Sequence, residues 1–444
     1  MVYSCGNDRD EGPGTAVTYY RLVSGAYIAD TAARDWKDGD EGLFDSCAPP
    51  GTSKNVLTVG AVEDVFRVEN GVRIYGYHPN ANIVPATFSG AGPTDDGRIK
   101  PDIVAVGTPS LPLRQFLGQV ENNTILGLIT AGGASDTDFN KFTEGTSFAA
   151  PSVSGIFGLT MQRRAQLYPG LPATEAWWGS TQKAILIGTC DDVGTPGPDF
   201  VMGQGLANAR RAVSVVGDDH TLGRGSLIKQ FSLAPSGLAA WIVVSDGTTP
   251  FDITAVWTDV PGAALTTVNT TENPIAMLVN NLNLQVENIQ TGEVLHPWVL
   301  NPDLTTKSAA TRSAPATRGV DSRNNVEKVS MAAPPAGEYR VTITHAGGIP
   351  GNAAPSNQLV SVVTTGVIPE LPKITSIIRS ATPGQFLLTY TGDVGAYFTI
   401  QTTTNLTTWT NSGSVLTESG INSVVLSTGT SDPNRFWRLK RGQE

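Results

Sequence analysis

A serine opens the stretch of this chain that most restricts its folding. In Gly145-Thr146-Ser147-Phe148-Ala149-Ala150-Pro151, the serine follows two small residues. The run continues through Val153, Ile156, Phe157 and Leu159. Apolar residues so spaced leave a helix almost no polar face, so a buried helix is expected here. A hydroxyl at its start sits at the positive end of the helix dipole, where backbone N–H groups lack intrahelical partners. Those donors can hold an oxyanion as it forms. Gly145 allows a substrate or a strand to approach closely, and Pro151 is expected in the first turn, where proline is tolerated. A Ser/Thr N-cap on a core helix is the other reading of these residues.

The length of 444 residues suggests roughly two to four domains. A formal charge of −10 argues against nucleic acid and against anionic membranes as partners. No apolar run reaches the length of a membrane span. Met1 is followed at once by a strand-like segment, so no signal peptide is read in the chain. Of the three cysteines, Cys190 follows Ile185-Leu186-Ile187 and reads as a core residue at a helix end. Cys5 and Cys47 flank a segment of about thirty residues, Thr15 to Ser46. A disulfide and two buried free thiols are both open readings. That segment carries Asp30, Asp35, Asp38, Asp40, Glu41 and Asp45. Such carboxylates suit a hard cation such as Ca²⁺ or form a solvated acidic loop, and Asp35-Trp36-Lys37-Asp38-Gly39-Asp40 lacks the spacing of a known calcium loop.

Gly-Thr-Ser-x-Ala-x-Pro resembles the nucleophile signature of the subtilisin-like serine proteases. Four further blocks in the family's order support the resemblance. They are Lys54-Asn55-Val56-Leu57-Thr58-Val59-Gly60-Ala61-Val62, Phe88-Ser89-Gly90-Ala91-Gly92-Pro93, the run from Asp96 to Ala105, and Gly203-Gln204-Gly205-Leu206-Ala207-Asn208. The resemblance implies an α/β fold with a parallel sheet covered by helices on both faces, truncated at its N-terminus. It also implies a secreted serine endopeptidase acting on protein or peptide substrates, with Ser147 as nucleophile. Val2-Tyr3-Ser4-Cys5-Gly6-Asn7-Asp8 is similar to the strand whose asparagine donates to the oxyanion, so Asn7 takes that role. Ser4, Cys5 and Gly6 are then expected along one wall of the substrate pocket, with Gly6 keeping it flat and Gly145 and Thr146 close by. No cofactor is needed for such chemistry; Ca²⁺ enters only as a structural ion. A monomer is expected.

In that family the acid and base of the triad precede this asparagine, and only six residues precede Asn7. None of His78, His220, His296 and His345 stands in a His-Gly-Thr context, and neither Asp30-Thr31 nor Asp246-Gly247 matches the motif of the triad acid. A serine without a general base is a weak nucleophile. The chain alone is therefore expected to be catalytically incomplete, the C-terminal part of a protease. A non-catalytic binding or adhesion protein on a degenerate protease scaffold is the alternative.

Beyond Val216 short alternating strands replace helical periodicity, as in Leu282-Asn283-Leu284-Gln285-Val286 and Tyr339-Arg340-Val341-Thr342-Ile343. An all-β sandwich or jelly roll is expected. The layout is a catalytic part at 1–217, a β-sandwich at 218–367, a stiff linker at 368–373 and a small β-module at 374–444. The sandwich resembles the jelly roll that follows the catalytic domain in some secreted relatives. Acidic residues often stand there at the positions of Asn281 and Asn283, so these amides speak against calcium. Thr305 to Asn325 reads as a long polar loop. In the last module Trp409 reads as a core residue more readily than as a sugar-stacking one.

Overall fold

The computed structural model describes residues 1–9, 43–63, 83–108, 144–263, 273–349, 352–369, 372–392, 396–417, 421–427 and 435–441, residue 394, and the backbone of four strands between 16 and 75. The first sheet-forming strand is β1 (Val2–Ser4). A hairpin follows, β2 (Ala16–Val23) with β3 (Ala26–Ala33), in the segment read as an acidic loop. Then come β4 (Leu57–Val62), a second hairpin of β5 (Phe66–Glu69) and β6 (Val72–Tyr75), and β7 (Ile103–Val106). Strands β1, β4 and β7 form a parallel sheet with β4 in the centre. Every residue of β4 is buried, as a strand covered on both faces requires.

Three helices pack around this sheet: α1 (Thr146–Leu167), α2 (Gly179–Thr189) and α3 (Ala209–Leu222). The side chain of Asn208 caps α3 by accepting from the Arg211 N–H, and Gly223 ends it at φ 104°. The sequence places the domain break at 217, but α3 runs on to Leu222. Its last turn is tied into the following strand by Asp219, whose carboxylate accepts the Leu227 and Ile228 N–H groups at 2.7 and 3.0 Å.

The second half starts with β8 (Ile228–Leu233), β9 (Leu238–Ser245), β10 (Phe251–Trp257) and β11 (Asn280–Asn288). Short strands β12 (Val294–Leu295), β13 (Trp298–Val299) and β14 (Thr317–Arg318) follow, with a single turn, α4 (Ala309–Arg312), before β14. The expected loop at 305–325 thus holds two small elements. Strands β15 (Val326–Met331), β16 (Gly337–Gly348), β17 (Gln358–Thr365) and β18 (Ile368–Pro369) complete it. They form two antiparallel sheets, β15-β10-β17-β8 and β12-β11-β16-β9-β18. In β11 buried and half-buried residues alternate strictly, sending Leu282, Leu284 and Val286 into the core between the sheets. The expected linker begins as β18, paired with Val243 and Val244 of β9.

Beyond it lie β19 (Lys373–Arg379), β20 (Gln385–Thr391), β21 (Tyr397–Thr403), β22 (Thr410–Leu416), β23 (Ile421–Ser427) and β24 (Phe436–Arg441). These form two three-stranded antiparallel sheets around Leu388, Tyr390, Phe398, Ile400 and Leu426. The chain is α/β followed by all-β. Trp409 is not among these core residues. Its ring carries the Arg438 guanidinium 4.2 Å from its centroid.

The two halves share a core. Helix α2 is buried on nearly all sides, with Ala184 to Ile187 clustering with β4 and β7 residues and with Ile228, Val256 and Val363 of the sandwich. A Cβ on Gly188 would lie 3.2 Å from Thr254 Oγ1, which shows how closely the helix meets β10. Ser180 and Thr181 each bond Ser361 at 2.9 Å, and Lys54 reaches Asp259 at 2.5 Å.

Asp102 is the electrostatic centre of the first half. Its carboxylate accepts from the Thr58 N–H at 2.7 Å and binds Lys100 at 2.7 Å and Lys183 at 2.8 Å. It thereby joins β4, the approach to β7, and α2. Burial opposes its charge, but Lys100 and Lys183 outweigh burial and hold its pKa below the usual carboxylate range. A carboxyl that binds its proton less readily when folded adds stability above about pH 4, lost as the pH falls through its folded pKa. Asp102→Ala, which strands two buried lysines, should cost about 3–5 kcal/mol at pH 7. Thermal melts at pH 7 and 3.5 check this: the deficit should shrink in acid, and equal deficits at both would refute it.

Candidate active site

The carboxyl ends of β1 and β7 flank β4 and deliver the same helix N-terminus. On one side the Cys5 N–H donates to Val59 O at 2.9 Å, the last bond to β4. The chain then turns at Gly6, φ 103°, where a Cβ would lie 2.8 Å from Ala48 Cβ. On the other side the Gly107 N–H donates to Val62 O at 3.0 Å, and Gly107 O accepts the Gly145 N–H at 2.9 Å. Helix α1 starts at the next residue, Thr146.

Asn7 and Thr146 lock together here. Asn7 Oδ1 accepts both the Thr146 N–H and the Thr146 hydroxyl at 2.8 Å, and Thr146 Oγ1 accepts the Gly6 N–H at 3.2 Å. Two donors on Oδ1 fix which way the amide faces. Its Nδ2 lies 3.0 Å from where a Cβ on Gly145 would stand, so a side chain at that position would press on the amide. Among the first-turn donors, the Thr146 N–H goes to Asn7 and the Phe148 N–H to Gly145 O at 3.0 Å. The Ser147 N–H has no partner among the described residues. Ser147 itself is exposed. Among the described residues, the exposed Ser147 thus follows a lock that leaves two N–H donors uncommitted, the Ser147 amide and Asn7 Nδ2. An acyl-transfer site needs that set around a developing oxyanion.

Several sequence expectations change in detail. Thr146 is 1% exposed, and its hydroxyl is consumed in holding Asn7, so it positions rather than contacts substrate. Cys5 is fully buried, and its N–H and carbonyl are taken by Val59 and Ala48. Only Ser4 and Gly6 of the expected wall are partly open. Gly6 must be glycine because of Ala48 and its positive φ. Pro151 falls in the second turn of α1, where its missing N–H frees the Ser147 carbonyl. The helix is buried on one face only: Ala149, Ala150, Val153 and Ile156 point inward, while Phe148, Leu159 and Met161 are exposed.

The described histidines serve other roles. His220 stacks edge-on against Tyr168, His345 bonds Ser356 O at 3.0 Å, and the His296 carbonyl accepts from Arg318. Asp246 is exposed in the β9–β10 turn, held well below the carboxylate range by the N–H and hydroxyl groups of Thr249 and Thr248. His78 and the side chains of the acidic insert up to Glu41 lie outside the described residues. Among the described residues no three His, Cys, Asp or Glu side chains gather as a metal set. On β11 the Oδ1 atoms of Asn281 and Asn283 are buried without a hydrogen-bond partner. No helix among the described residues is long and apolar enough to cross a membrane.

Residues 1–205 match the model of the subtilase family, Peptidase S8. This part of the chain is similar to the subtilases. The matched segment ends just beyond the Gly203 turn, where the Val104 N–H donates to Gly205 O beside β7. The chain is 28% identical over 279 residues to the serine protease/ABC transporter B family protein tagA of Dictyostelium discoideum, covering 60% of this chain and 15% of that protein. It is 33% identical over 126 residues to serine protease AprX of Bacillus subtilis, covering 28% of this chain and 24% of that one. It is 30% identical over 123 residues to a C5a peptidase of Streptococcus pyogenes, covering 28% and 8%. The chain spans no more than a quarter of these relatives.

Proposed function

We propose that the subtilase-like segment carries the nucleophile and oxyanion half of a secreted serine endopeptidase. Ser147 attacks the scissile carbonyl, and Asn7 Nδ2 with the Ser147 N–H receives the oxyanion. The observation that carries this reading is the double lock of Asn7 Oδ1 on Thr146, which orients the amide without using its donor. A neutral amide suits the task, because it stabilises charge as it develops rather than binding the ground state tightly.

The general base is not among the described residues around Ser147, and no histidine in the sequence stands in the family's base motif. The 444-residue polypeptide by itself is therefore expected to lack ordinary peptidase turnover. Assay it on casein and on a chromogenic peptide beside the protein isolated from its source, each with a Ser147→Ala control. The account predicts serine-dependent turnover only in the source protein. Enzyme-like turnover by the 444-residue polypeptide, abolished by Ser147→Ala, would overturn the missing-base reading. Absence of serine-dependent turnover in both would favour the non-catalytic alternative.

A further inference from the structure

We propose that Cys5 and Cys47 form a disulfide, a modification site that clamps the strand presenting Asn7. Their sulfur atoms lie 2.6 Å apart, both residues are buried, and 42 positions of sequence separate them. A bond needs a separation of about 2.05 Å, a small adjustment from there. Cys190 does not compete, since its thiol contacts Ile187 O and Gln204 O at 3.0 and 2.8 Å.

The backbone around the pair is already held in place. The Ala48 N–H donates to Cys5 O at 2.7 Å, the Ser46 N–H to Ala91 O at 2.8 Å, and the Gly90 N–H to Gly6 O at 2.9 Å. Gly6 and Asn7 follow Cys5 directly, so a crosslink would hold the Cys47 segment against the turn that positions the oxyanion donor. Burial, with Cys47 alongside, pushes the Cys5 thiol well up, which makes the folded Cys5 a slow nucleophile. The bond therefore forms while the chain is folding, by exchange with a low-molecular-weight disulfide. One cysteine thiolate attacks that disulfide and releases one thiol, and the mixed disulfide is then displaced by the other cysteine. The two cysteines lose two protons and two electrons, and the external disulfide leaves as two thiols. Once made, the crosslink is sealed from solvent.

The crosslink does not depend on the proteolytic reading, and its test has a readout independent of turnover. Produce the 444-residue chain in an oxidising compartment, denature it, and alkylate it before and after reduction. Intact mass should show one alkylated thiol before reduction and three after, with peptide mapping joining Cys5 to Cys47. Three alkylated thiols without reduction, or a crosslink to Cys190, would overturn the proposal. Cys47→Ser should lower the melting temperature by about 5–10 °C. If that variant does not fold, the mass measurement on the unaltered chain still decides. A crosslinked protein without peptidase activity would leave this inference standing and count only against the proposed function.

Discussion

Ser147→Ala should lower the peptidase turnover of the protein isolated from its source by about 10⁶, the size of effect seen when a subtilisin loses its nucleophile. The fold should be unaffected. Ser147 is exposed and forms no side-chain bond among the described residues, so its loss should shift stability by no more than about 0.5 kcal/mol. Michaelis profiles with a matched thermal melt separate the two effects. A variant that melts like the parent yet keeps most of its turnover would show that another residue makes the attack.

Asn7→Leu should lower turnover by about 10²–10³ with little change in KM, the pattern of an interaction made mainly in the transition state. It also strands the Thr146 N–H and hydroxyl, at a stability cost of about 1–3 kcal/mol. Asn7→Asp separates the two roles. A carboxylate can still accept both Thr146 bonds, so the lock survives, but an oxygen replaces the Nδ2 donor and sets a negative charge beside the oxyanion. Turnover should fall at least as far as in Asn7→Leu while the melting temperature stays closer to the parent. If Asn7→Asp kept its turnover, the amide would be a structural brace and not a donor.

Much of the site was legible in the sequence because its pieces are local. Gly145, Thr146 and Ser147 are contiguous, and a small pair before a serine and an apolar run states where a helix begins. The all-buried β4 and the alternating β11 follow from periods of burial in short segments. Contacts across long separations were not legible. Thr146 looked like a substrate neighbour because nothing local reveals its partner, Asn7, at the end of another strand. Gly6 suggested a flat wall because Ala48, the residue that requires it, lies forty-two positions on. Cys5 was expected to face the pocket, but its side chain turns inward to Cys47. Composition placed a domain break at 217, where texture changes; the core ignores that boundary because α2 packs on β10 and β17. Helix α1 read as buried all round because its residues are small and apolar, yet Gly155 and Gly158 have nothing within 4 Å of a would-be Cβ. Apolar composition shows what a face can bury, not what lies against it.

If the exposed Ser147 next to the Asn7–Thr146 lock is the attacking group, an active-site label should find it. The most direct measurement is to treat the protein isolated from its source with a fluorophosphonate, digest it, and locate the adduct by mass spectrometry. The account predicts a single modified peptide with the label on Ser147, absent in Ser147→Ala and much slower to form in Asn7→Leu. A label on any other serine, or no label on a protein that hydrolyses peptide, would contradict it.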